Sequence, residues 1–135
     1  MEKYYLNNDL KVFGTQVKTF PDDIGAAFEA LITMLPDGPE RQYYGISYMT
    51  KDGEIIYKAT VLEKYEGEAE KYHCEISVIE KGEYLTRVIH DWRKKTDCIK
   101  DVFHDMMQDS RIDKGKPCIE WYKNSDEMFC MVKHK

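Results

Sequence analysis

Tyr43-Tyr44-Gly45-Ile46-Ser47-Tyr48-Met49-Thr50-Lys51-Asp52-Gly53-Glu54-Ile55-Ile56-Tyr57-Lys58-Ala59-Thr60-Val61-Leu62 reads as a β-hairpin. Two runs rich in aromatic and β-branched residues, Tyr43 to Thr50 and Glu54 to Leu62, flank Lys51-Asp52-Gly53, and an Asp-Gly pair is a strong tight-turn signal. The same order returns later in the chain. Pro117 to Tyr122 and Glu127 to Lys133 flank Lys123-Asn124-Ser125-Asp126, with Ile46 answering to Ile119 and Tyr48 to Trp121 at a spacing of 73.

Working outward, each hairpin follows an amphipathic helix. After Pro21-Asp22-Asp23, the residues Ile24, Ala27, Phe28, Leu31, Ile32 and Leu35 recur at the three-and-four spacing of one helical face, and Pro36-Asp37-Gly38-Pro39 stops the run. Thr96-Asp97 is placed to cap a second helix, whose stripe Ile99, Val102, Phe103, Met106 and Met107 ends near Asp109-Ser110. The stripes match at a spacing of 75, so the helix-to-hairpin loop is two residues shorter in the second copy. Each helix is preceded by a β-like run, Leu10 to Thr19 and Tyr84 to Ile89. A further strand, Tyr72 to Ile79, sets Tyr72, Cys74, Ile76 and Val78 on one face and turns at Lys81-Gly82. Glu63 to Lys71 reads as the link between halves. The expectation is one α+β domain over 1–135, built from repeats at about 8–63 and 72–134.

Composition narrows the function. A chain of 135 residues suits a single core. Lys and Arg number 20 against 25 Asp and Glu, and a charge of -5 repels a phosphate backbone, so no direct nucleic-acid contact is expected. Met1-Glu2-Lys3-Tyr4-Tyr5-Leu6 has no basic segment leading into an apolar run, and no stretch approaches a membrane span; a cytoplasmic protein is expected. Cys74, Cys98, Cys118 and Cys130 read as buried reduced thiols. Neither they nor the histidines show a short metal-ligand spacing, so no metal and no cofactor are expected. Phosphate-binding glycine loops are missing, and Gly45-Ile46-Ser47-Tyr48 lacks the second glycine of a nucleophile elbow. Arg93-Lys94-Lys95 reads as a solvated corner.

One segment remains, Cys118-Ile119-Glu120-Trp121-Tyr122. Strand alternation sends Cys118, Glu120 and Tyr122 to one face and Ile119 and Trp121 to the other. Its partner run, Met128-Phe129-Cys130-Met131-Val132, is apolar throughout, as in a strand covered on both faces. A carboxylate in a covered space costs several kcal/mol unless paired, hydrogen-bonded or protonated. The residues leave Glu120 open to that reading or to a solvent-facing one. Likewise Tyr43, Tyr44, Tyr48 and Tyr57 read as packing residues or as pocket walls, and Trp92 as a core plug or a wall.

The runs Val12-Phe13-Gly14-Thr15-Gln16-Val17-Lys18-Thr19, Tyr44-Gly45-Ile46-Ser47-Tyr48 and Lys81-Gly82-Glu83-Tyr84, with Trp92 and Ile119-Glu120-Trp121-Tyr122, resemble the GyrI-like family. That family includes effector-binding domains of AraC-type and multidrug-sensing regulators and free-standing integron-associated binding proteins. The resemblance implies a pseudo-twofold tandem of two strand-helix-strand-strand modules, an antiparallel sheet with two main helices, and a central ligand cleft. It implies that Glu120 meets a cationic, aromatic ligand while rings stack on it, with Tyr122, Trp92, Tyr44, Tyr48 and Tyr57 as walls. Ser47 stands where Glu120 stands in the other copy, so the acidic anchor is one-sided. Only about nine residues precede the first expected strand, leaving no room for a DNA-binding helix-turn-helix; a partner regulator protein would then carry any signal onward. Three functions compete: a stand-alone effector-binding module, a hydrolase of electrophilic cyclopropanoid compounds using Glu120 and Tyr122, and a protein-interaction module without ligand.

Overall fold

The structure, a computed structural model, describes residues 1–18 and 22–135. Thr19 as the end of the first expected strand and Pro21 in the first helix start lie outside the described residues. Among the described residues eight strands are formed: β1 (Glu2–Leu6), β2 (Leu10–Gln16), β3 (Tyr43–Met49), β4 (Ile55–Leu62), β5 (Glu75–Ile79), β6 (Gly82–His90), β7 (Cys118–Tyr122) and β8 (Glu127–Lys133). The helices are α1 (Ile24–Met34), the single turn α2 (Glu68–Lys71) and α3 (Ile99–Met106).

The strands make one antiparallel sheet in the order β1-β6-β8-β7-β3-β4-β2-β5. Read from either end, this order gives the same succession with the halves exchanged, so two strand-helix-strand-strand modules, β2-α1-β3-β4 and β6-α3-β7-β8, meet at β3 and β7. The edges are crossed over. β1 precedes the first module in sequence but pairs with β6, and β5 precedes the second but pairs with β2. Six strand steps separate β5 from β6, roughly 29 Å in a flat sheet at about 4.8 Å per step. Yet only Glu80 and Lys81 join Ile79 to Gly82, a reach of about 11 Å. The sheet must therefore curl until its ends approach one another.

Curling gives the sheet two buried faces. On the inner face Val12, Tyr44, Ile46, Ile79, Tyr84, Ile119 and Met131, contributed by six different strands, form one cluster with no helix among them. On the other face α1 sets Leu31 against Phe13, Tyr57, Ala59 and Val61, and α3 sets Phe103 and Met106 against Leu85, Met128, Cys130 and Val132. Among the described residues neither helix has a side-chain cap hydrogen bond, Thr96 and Asp97 forming a 3-10 turn instead, so tertiary burial must hold both. Each fully buried Leu or Met contributes roughly 1.5–3 kcal/mol.

Other details depart from expectation. β1 was not anticipated; Tyr4 and Leu6 join the inner cluster, while Tyr5 faces out. β5 begins only at Glu75, and Ile76 and Val78 are exposed because this edge strand lies beyond the cover of α1. Cys98 is exposed in the turn before α3; the four thiols are all free. The link between halves buries Glu68, whose carboxylate accepts both Arg41 terminal nitrogens at 2.7 and 2.9 Å and the Lys64 amide at 2.8 Å. Arg41 also donates to the Leu62 carbonyl at 2.7 Å, pinning the link to the end of β4, and its guanidinium holds the Glu68 carboxyl below the usual carboxylate range.

Candidate functional site

The hairpins put Glu120 at the seam of the two modules. Its backbone lies opposite Gly45 of β3 on one side and Cys130 of β8 on the other. Only 8% of Glu120 is exposed. Two tyrosine hydroxyls donate to its Oε1, Tyr57 at 2.6 Å and Tyr122 at 2.5 Å. Both of these bonds fall on Oε1, and Oε2 is not among the described side-chain oxygens that are buried without a partner. Burial pushes the Glu120 carboxyl above its ordinary range, and the two hydroxyls pull it partly back. Both phenols are held well above theirs by burial and by the neighbouring carboxylate. Burial also raises the flanking thiols, Cys118 to about 11 and Cys130 to about 12, which leaves them protonated and unreactive.

Gly45 makes this triad sterically feasible. A Cβ there would lie 2.0 Å from the Tyr57 hydroxyl and 2.7 Å from Glu120 Oε1. Aromatic rings surround the triad. Tyr122 packs edge-on between Phe28 of α1, at 5.2 Å, and Trp92, at 4.9 Å, and Phe28 also meets the rings of Tyr43 and Tyr57 at 6.1 and 6.5 Å. Trp92 is fixed by an indole N–H bond of 2.8 Å to the Asn124 carbonyl in the β7–β8 turn.

Of the residues read from sequence, Glu120, Tyr122, Tyr57 and Trp92 come together here. Tyr44 and Tyr48 do not: the β3 register that puts Gly45 beside Glu120 turns both to the inner face. There Tyr44 stacks on Trp121 at 6.3 Å, and Tyr48 is 40% exposed. Phe28 and Gly45 are not singled out for the site by the sequence, which leaves Tyr43 open between packing and a pocket wall. Phe28 had been read as a core position of α1, and Gly45 needed the β3 to β7 pairing to reveal its role. Two recesses, of about 300 and 90 Å³, are lined by Asp9 to Lys11 with Leu62 to Glu66, and by residues of the inner face; neither includes Glu120. Among the described residues no cluster of His, Cys, Asp or Glu could hold a metal ion, and no helix is long and apolar enough to cross a membrane.

With this geometry in view, solved structures give the clearest comparison. An integron cassette protein from the mobile metagenome of Vibrio cholerae superposes with a TM-score of 0.73 at 13% identity, covering 99% of this chain and 95% of its own. A protein solved with tetraphenylphosphonium bound gives 0.66 at 15% identity, covering 98% and 94%. A protein from Staphylococcus aureus MU50, ascribed to bacterial transcription regulation, gives 0.60 at 13% identity, covering 98% and 97%. The likeness is one of fold. It agrees with the pseudo-twofold architecture that the sequence resemblance implies. No family model matches the chain, and no curated protein matches it in sequence.

Proposed function

We propose that the chain binds a small hydrophobic cation at Glu120, as an effector-binding domain of the GyrI-like kind. The observation that carries this reading is a carboxylate 8% exposed, held on Oε1 by two hydroxyls, among the rings of Phe28, Tyr57, Trp92 and Tyr122. A cation arriving there compensates the buried charge and meets ring faces that attract it. Entry requires the Tyr122 ring to leave its slot, which costs a charge-assisted hydrogen bond of about 1.5–3 kcal/mol and lowers affinity by the population of the open form. Tetraphenylphosphonium, the ligand of one structural neighbour, has the required chemistry. Its charge is permanent, so the ligand itself does not titrate, and affinity is expected to rise with pH as the Glu120 carboxyl ionises.

Calorimetric titration with tetraphenylphosphonium tests the proposal. Glu120→Gln, which keeps the shape and loses the charge, is expected to weaken binding at least about 30-fold. Equal affinity in both proteins removes the anchor. That neither recess includes Glu120 favours a second reading, an interaction module without ligand, and failure of the wild type to bind any aromatic cation would support it.

A further inference from the structure

The inner face of the sheet carries a second recess, separated from Glu120 by the sheet itself. Its volume is about 90 Å³, and Ile46, Ile79, Tyr84 and Ile119 supply an apolar lining together with Val78 and Pro117. Ile46 and Ile119 face each other across β3 and β7, one residue along each strand from Gly45 and Glu120 and hence on the opposite side. Three charged residues also border the recess: Glu80, Lys116 and Lys133. Lys116 and Glu80 neutralise each other in an ion pair of 2.7 Å. Lys133 makes no ion pair among the described residues; its ammonium lies over the Tyr84 ring, 5.9 Å from the centroid. The recess is thus a small apolar hollow with one uncompensated positive charge, the reverse of the Glu120 site.

We propose that this recess binds a short-chain aliphatic carboxylate, with the chain among Ile46, Ile79 and Ile119 and the carboxylate on Lys133. A water occupies roughly 30 Å³ of liquid, so the hollow holds about three groups of that size. Butyrate fills it with its three-carbon tail and leaves the head at the lysine. Burial of each methylene is worth about fourfold in affinity, from roughly 0.8 kcal/mol per CH₂.

The test is an NMR titration of the 15N-labelled protein with acetate, propionate, butyrate, hexanoate and butylamine at fixed ionic strength, following the amides of Ile119 and Lys133. Affinity is expected to climb about fourfold per carbon from acetate to butyrate and to gain nothing further at hexanoate. Butylamine should not shift these amides, and Lys133→Met should weaken butyrate about tenfold. Glu120→Gln should leave butyrate binding unchanged, which separates this site from the cation site. No shift with butyrate, a flat chain-length series, equal binding of butylamine, or indifference to Lys133→Met would each overturn the proposal.

Discussion

The two modules share a backbone plan and differ in what they hang on it. At the spacing that relates the hairpins, Glu120 corresponds to Ser47, Tyr57 to Cys130, Tyr122 to Met49 and Gly45 to Cys118. Both hairpins present these positions to the helix-covered face. In one quadrant they assemble a buried carboxylate with two phenols; in its counterpart a serine and two thiol positions leave no charge to satisfy, and Met49 is 68% exposed. The repeat therefore supplies the frame, and the acidic anchor comes from divergence at four positions. One of the two phenols also crosses the seam: Tyr57 belongs to the first module and serves the carboxylate of the second. The site exists only when the halves are joined.

The comparison can be broken at its frame. Arg41→Ala leaves the Glu68 carboxylate buried without its cation in the first module. About 3 kcal/mol of stability should be lost, the lower end for a broken buried pair because the exposed Lys64 and the partly exposed Asp37 connect the network to solvent. Denaturant unfolding measures it, and a loss below about 1 kcal/mol would mean that the link is not held by this pair.

It can be sharpened at the seam. Gly45 is matched in the other module by Cys118, a position that carries a side chain without conflict, whereas Gly45→Ala drives a methyl group into the Tyr57 hydroxyl. The expected cost is about 2 kcal/mol, because Tyr57 is 1% exposed and has little room to retreat. Cation affinity should fall with it. An unchanged protein would show that Tyr57 and Glu120 do not meet.

The smallest effect should come from the inner face. Tyr48→Ala lies across the sheet from Glu120, so stability should move by no more than about 0.5 kcal/mol and cation affinity should not change. A large loss of affinity in a titration would return Tyr48 to the ligand site.

Local chemistry made much of this legible. Asp52-Gly53 marked one hairpin, and Gly53 does take a positive φ of 83° in the turn. Alternation alone put Glu120 and Tyr122 on one face. What stayed hidden depends on pairing between distant segments. The bond from Tyr57 to Glu120 spans 63 residues of sequence and exists because β3 lies between β4 and β7 in one particular register. The same register sends Tyr44 and Tyr48 to the far side, although all the tyrosines of the hairpin share one β propensity. β1 escaped notice for a related reason, since its partner β6 begins some 76 residues further on and Glu2 and Lys3 dilute the apolar pattern.

Carboxyl-detected NMR of Glu120, assigned with Glu120→Gln and followed against pH with and without tetraphenylphosphonium, reaches the buried acid itself. In the free protein the midpoint should lie above that of an ordinary glutamate, because burial outweighs the two phenolic hydrogen bonds. The bound cation, favouring the ionised form, should bring the midpoint down. A midpoint at the ordinary value that ignores the cation would contradict the account.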